Sequence, residues 1–184
     1  MPVKRSSKYN VYSADELNQI EQNLIETQDP LLHAFVLSAH YGLRAGEACA
    51  VRWCDLDLEA GILHAQGTLR LGRSGFCFTH YLKTPASVQD VPLWPYDTEL
   101  FRSLRRKREA AGFATVSLDH IPDPTTDITS LDPNAFVCWD SEGDILTPRV
   151  LRQQFPGILD TLGLRRGTWH DLRNSFREFQ ECMA

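Results

Sequence analysis

The chain has 184 residues, 42% of them hydrophobic, and a net charge of −5 from 19 Lys and Arg against 24 Asp and Glu. That length suits one ordinary domain with a real core, and the absence of an 18-residue apolar run excludes a helical membrane span. The acidic balance points away from a uniformly basic nucleic-acid binder, although a local Arg and Lys cluster can bind phosphate while the far side stays acidic.

The start, Met1 to Lys8, is polar and carries no apolar stretch, so it is not a secretory signal, and the cytoplasm is the expected location. The five cysteines, at 49, 54, 77, 138 and 182, are odd in number and form no C-x-x-C pair. They predict neither a disulfide framework nor a zinc site, but reduced and mostly packed thiols.

Residues 1–12 read as a tail, with the folded domain running over 13–184. Ser13-Ala-Asp-Glu16 has capping-box spacing, and Leu17, Ile20, Leu24 and Ile25 fall on one helical face after it. Asp29-Pro30 opens a second helix that runs to Gly42, and a short helical piece follows from Ala45 to about Trp53. The period then changes. Residues 62–71, 76–82 and 91–93 predict three antiparallel strands, with Pro92 marking an edge or a strand end. A basic helix is predicted from Tyr96 to about Ala111, then a long loop over 112–134. Ala135–Trp139 predicts a brief extended piece. Thr147 and Thr168 are candidate caps for helices over 148–162 and from His170 to Cys182. The expected fold class is α+β, mainly helical with a small three-stranded antiparallel sheet.

Four stretches carry chemistry: Tyr41-Gly-Leu-Arg-Ala-Gly-Glu47 leading into Val51-Arg-Trp-Cys-Asp55; Lys83-Thr-Pro-Ala-Ser-Val-Gln-Asp-Val-Pro-Leu93; Phe136 to Gly143; and His170-Asp-Leu-Arg173 after Gly167-Thr-Trp169. Arg44 follows a helix-ending glycine, and Glu47, three residues on, is spaced to orient its guanidinium. His170 and Arg173, at i and i+3, share one helix face. Two arginines with a histidine and a lysine can converge on an oxyanion, because the guanidinium fork matches phosphate oxygens in pairs. Singly, each of these is an ordinary ion pair, turn or solvated helix face.

Together and in this order they resemble one family. Gly42-Leu-Arg-Ala-Gly-Glu47 with its apolar-x-Trp-x-Asp tail is similar to the first signature of the tyrosine recombinases, the phage-integrase type of DNA strand transferase. Lys83-Thr-x-x-Ser through Val91-Pro-Leu93 is similar to their lysine hairpin, and His170-Asp-Leu-Arg-x-Ser-Phe176 to their second box. The resemblance spans roughly residues 13 to 176 and implies the family's catalytic domain. It implies that Arg44 and Arg173 clamp the scissile phosphate, Glu47 steadies the first arginine, Lys83 protonates the departing 5′ oxygen, and His170 hydrogen-bonds the phosphate. It implies site-specific recombination or integration on double-stranded DNA, homo-oligomers on that DNA in the full-length protein, no membrane partner, and neither a metal nor a cofactor. Arg102, Arg105, Arg106 and Lys107 form a weaker candidate DNA surface, with a solvated helix face as the alternative.

Four departures qualify the match. Gln89 stands where the family commonly has arginine, and Asn174 where it has a second histidine. The family's nucleophile, a tyrosine that forms a 3′-phosphotyrosyl link, lies well beyond the second box. The tyrosines here, at 9, 12, 41, 81 and 96, do not match that position, and neither does the chain include the family's N-terminal helical domain. The chain is therefore expected to bind DNA but to be inactive alone, whether it is an excised piece or a natural remnant. The alternatives are a non-enzymatic DNA-binding or regulatory module that keeps the fold, and, more weakly, a helical scaffold with chance motifs.

Overall fold

In a computed structural model, residues 10–73, 75–80, 89–113 and 125–183 are described. They divide into two compact units, one made of the described residues up to Ala45 with those from Arg149 on, the other of Gly46–Pro148.

The first unit is helical. Helix α1 (Ala14–Glu26) begins at the predicted capping box: the Ser13 N–H donates to Glu16 Oε2 at 2.7 Å and the Glu16 N–H to Ser13 Oγ at 3.2 Å. Its inner face buries Ile20 and Leu24. Helix α2 (Leu32–Ala39) starts after an Asp29 turn, two residues beyond the predicted cap, and is buried almost all round, as an apolar octet must be. Its one polar inward group, Ser38, accepts the indole N–H of Trp169 at 2.9 Å. Helix α5 (Pro148–Thr161) turns Leu151, Phe155, Ile158 and Leu159 inward, and α6 (Trp169–Met183) turns in Trp169, Leu172 and Ser175. Phe155 meets Trp169 edge-on with ring centres 5.2 Å apart.

Tyr12, within the stretch read as a tail, is fully buried in this unit. Its ring stands edge-on to Phe155 at 6.3 Å, and its hydroxyl finds no hydrogen-bond partner among the described residues. Burial, with the Asp171 charge adding and Arg165 opposing, pushes its phenol up to about 12 from 10.0. The folded pKa is raised, so this group's stabilisation is complete below pH 10 and is lost as pH climbs from 10 towards 12. At pH 11, Tyr12→Phe is expected to spare the protein about 1.4 kcal/mol of the alkaline destabilisation seen in the parent. Urea midpoints at pH 8 and 11 measure this; identical pH slopes for both proteins would refute it.

In the second unit, the short helix α3 (Ala45–Cys49) and a 3-10 turn at Trp53–Asp55 lead into the strands. The single expected sheet is realised as two three-stranded antiparallel sheets. Strands β1 (Leu56–Asp57), β2 (Ile62–Ala65) and β5 (Gln89–Pro92) form one, in the order β1-β2-β5. Strands β3 (Gly67–Leu71), β4 (Phe76–His80) and β6 (Thr125–Asp127) form the other, in the order β3-β4-β6. The stretch 62–71 thus divides at Gln66 between the sheets. Gly67 starts the second one because a Cβ there would lie 2.3 Å from the buried Phe78 ring. Pro92 sits on the edge strand β5, where its missing N–H costs no ladder bond. Strand β6 falls in the predicted loop. The brief buried strand or extended piece expected at 135–139 is an extended, buried piece: it follows a 3-10 turn (Pro133–Ala135) and carries isolated bridges, Arg52 to Phe136 and Trp139 to Ile145. Helix α4 (Pro95–Ala110) matches the predicted basic helix and buries Phe101.

Candidate phosphate-binding site

Arg44 and Arg173 are brought to one turn of the first unit. Gly42 ends the α2 segment in the left-handed region, φ 67°, where glycine alone is unstrained. The exposed Arg44 follows two residues later, immediately before α3. Arg173, on the second turn of α6, donates from Nη1 to the Gly42 carbonyl. Gly42 also packs under the same helix, since a Cβ there would stand 2.4 Å from Cδ1 of Phe176. One glycine therefore shapes the Arg44 turn, receives Arg173 and admits Phe176.

His170 projects into solvent from the first turn of α6. That turn begins after Thr168, the predicted cap, and is fixed by two neighbours not assigned a role from the sequence, Asp171 and Trp169. The buried carboxylate of Asp171 accepts from the Thr168 N–H at 2.7 Å and from its hydroxyl at 3.0 Å. The buried Trp169 ties the turn to Ser38 on α2. The spacing Thr168-x-x-Asp171 is a capping signal that adds Asp171 to the predicted cap; nothing local discloses the bond from Trp169 to Ser38, which joins residues 131 apart.

The other predicted residues lie in the second unit or outside the described residues. Glu47 is half-buried on α3, and Lys83 falls within 81–88, which are not described. The glycine of the first box has a steric reason: a Cβ on Gly46 would lie 2.5 Å from the Leu69 carbonyl of β3. The Trp-x-Asp tail has an electrostatic one. Arg52 and Asp55, 2% and 1% exposed, form a two-pronged pair, Nη2 to Oδ1 at 2.8 Å and Nε to Oδ2 at 3.0 Å. The Arg52 N–H adds a bond to Oδ2 at 2.9 Å, and the guanidinium stacks 5.3 Å above the Phe78 ring.

On α4 the cations meet carboxylates. Arg105 lies 3.2 Å from Glu109 and Arg106 lies 2.5 Å from Glu99, while Arg102 lies 4.0 Å from Glu99 and 3.9 Å from Glu59. The hydrogen bond from Arg106, with its charge and that of Arg102, holds the Glu99 carboxyl below its ordinary value. Lys107 is exposed. Arg108, next to Lys107 on the same helix, packs 3.5 Å over the Trp139 ring and 4.4 Å over Phe113. Among the described residues no group of three or more His, Cys, Asp or Glu is placed to hold a metal ion, and no helix is long and apolar enough to cross a membrane.

No family model matches the sequence, and neither does any curated protein. Solved structures do match. A Tn1549 transposon integrase in complex with circular intermediate DNA aligns over 99% of this chain and 56% of its own, at TM-score 0.73 and 15% identity. The fold is that of the tyrosine recombinases and integrases. The XerA recombinase aligns over 96% of this chain and 50% of its own, at TM-score 0.59 and 19% identity. A lambda integrase dimer bound to a COC′ core site aligns over 100% and 44%, at TM-score 0.58 and 16% identity. This chain spans about half the length of the integrases it matches. Within the integrase fold, the two sequence boxes are the turn after α2 and the start of α6.

Proposed function

We propose that this chain binds duplex DNA through its phosphates and supplies the phosphate-activating part of a tyrosine-recombinase site. The observation that carries this is the bond from Arg173 to the Gly42 carbonyl, which holds one arginine against the turn that presents the other. In this reading Arg44 and Arg173 stabilise charge on the non-bridging oxygens, and His170 donates a further hydrogen bond. Glu47 steadies Arg44, and Lys83 is the general acid for the leaving 5′ oxygen. Arg102, Arg105, Arg106 and Lys107 give a weaker, salt-sensitive attraction, since the carboxylate partners of the three arginines must first be exchanged for phosphate. The DNA-bound integrases of the same fold support duplex DNA as the partner. For the whole protein the proposed role is site-specific strand transfer through a 3′-phosphotyrosyl intermediate, with homo-oligomers on DNA and a cytoplasmic setting.

The nucleophile in this reading lies outside these residues. Tyr12 and Tyr41 are both buried, whereas Tyr96 is 57% exposed on α4; a DNA-binding module without strand-transfer activity of its own is the second reading. A nicked suicide duplex distinguishes activity from binding: a denaturation-resistant protein–DNA species formed by these 184 residues would overturn the assignment of the nucleophile. Binding is tested by charge reversal. Arg44→Glu and Arg173→Glu should each weaken duplex affinity by about tenfold or more and lower the slope of log affinity against log salt by about one. Affinity unchanged in both variants would sink the phosphate-binding reading.

A further inference from the structure

We propose that Ser175, gripped by the backbone of Tyr12, is a positioning residue that sets the phosphate-facing turn of α6; this rests on the phosphate-binding reading above. The Ser175 hydroxyl is fully buried and works in both directions. It accepts the Tyr12 N–H at 2.8 Å and donates to the Asp171 carbonyl oxygen at 2.8 Å. The Asp171 carboxylate in turn receives both donors of Thr168, so Ser175 and Asp171 link residue 12 to Thr168, the residue before α6.

Side-chain packing fixes the other end of that relay. The Tyr12 ring is held between Phe155 and the guanidinium of Arg165, 4.6 Å from its centre. Arg165 also donates to the Val11 carbonyl and lies 3.6 Å from Glu16 of α1. The Tyr12 hydroxyl occupies the space beside Gly167, where a Cβ would come within 2.0 Å of it. Residues 11 and 12 are therefore seated, not draped, against the loop that precedes α6.

The consequence is geometric. Trp169 and Arg173 tie α6 to α2 and to the Gly42 turn on one side, and Ser175 ties it to the entering chain on another. His170 and Arg173 project from the residues between these ties. A buried polar relay of this kind fixes orientation, and phosphate recognition by a guanidinium fork depends on orientation.

Duplex binding measured at fixed salt for Ser175→Ala, Arg173→Ala and the double variant tests the coupling. Ser175→Ala is expected to weaken affinity by about tenfold, and Arg173→Ala by at least as much. The double variant should lose less than the product of the two single losses, because the serine acts through the arginine and through His170 on the same turn. Losses that multiply, or Ser175→Ala binding like the parent, overturn the proposal. If Arg173→Ala itself binds like the parent, the phosphate-binding reading fails instead, and the Nε–Hε NMR signal of Arg173 in the free protein then decides the positioning role. That signal should be sharp in the parent and broadened in Ser175→Ala; equal widths would refute positioning. Should Ser175→Ala not fold, Ser175→Cys, close in shape but a poorer acceptor, is expected to give the same non-multiplying loss at smaller size.

Discussion

Asp55→Ala is expected to cost about 3–5 kcal/mol of folding free energy, the usual penalty for stranding one partner of a buried ion pair. The Arg52 guanidinium is 2% exposed and donates two hydrogen bonds to this one carboxylate. Removing the carboxylate also strips the Arg52 N–H of its acceptor, so a buried backbone donor joins a buried cation. Stacking on Phe78 offsets little of this, because it attracts the cation without satisfying its donors. A domain of this size has only about 5–15 kcal/mol to lose. Urea denaturation measures the cost. The control is Arg52→Met with Asp55→Leu, which removes both charges and should recover most of the loss. A single-variant change below about 1 kcal/mol would show that the pair is not the anchor its geometry indicates.

Gly42→Ala is expected to destabilise by about 2–5 kcal/mol and to weaken DNA binding in the same step. The left-handed backbone at φ 67° costs an alanine about 1–2 kcal/mol. The added methyl would also stand 2.4 Å from Cδ1 of Phe176, an overlap that overpacking data price at about 1–3 kcal/mol. Because the ring belongs to α6, the helix must shift, and with it the bond from Arg173 to the Gly42 carbonyl. Trimming the ring separates the two causes. In Gly42→Ala with Phe176→Ala the combined loss should fall short of the sum, since the clash disappears while the strain remains. Additive losses would mean that ring and glycine do not press on each other.

What could be read from the sequence was what short spacings encode. The capping box at Ser13 and Glu16, the basic helix after Pro95 and the α6 helix appear within a residue or two of their expected limits. The ordered boxes around Arg44 and His170 were legible because each is contiguous. The rest depends on contacts between residues far apart. Gln66 divides one apparent strand because Gly67 must pass the Phe78 ring, which alternation of apolar residues does not reveal. Arg108 looks like its solvent-facing neighbours but lies between Trp139 and Phe113, and burial pulls its basicity below the ordinary value. Tyr12 is fixed by Ser175 across 163 residues. Strand β6 is short and follows a proline-rich stretch, so its own composition argues for a loop.

The tryptophans divide along the same line as the chain. Trp169 lies in the helical unit, Trp53 and Trp139 lie together in the other, and all three are buried, whereas Trp94 is 54% exposed. Intrinsic fluorescence can therefore be assigned to one unit at a time. A protein retaining only Trp169 reports the melting of the arginine-bearing helices, and one retaining only Trp139 reports the strands. Superposable denaturation curves would mean that the two units form one cooperative folding unit, and separated curves would mean that DNA-binding competence can be lost while the sheets remain intact.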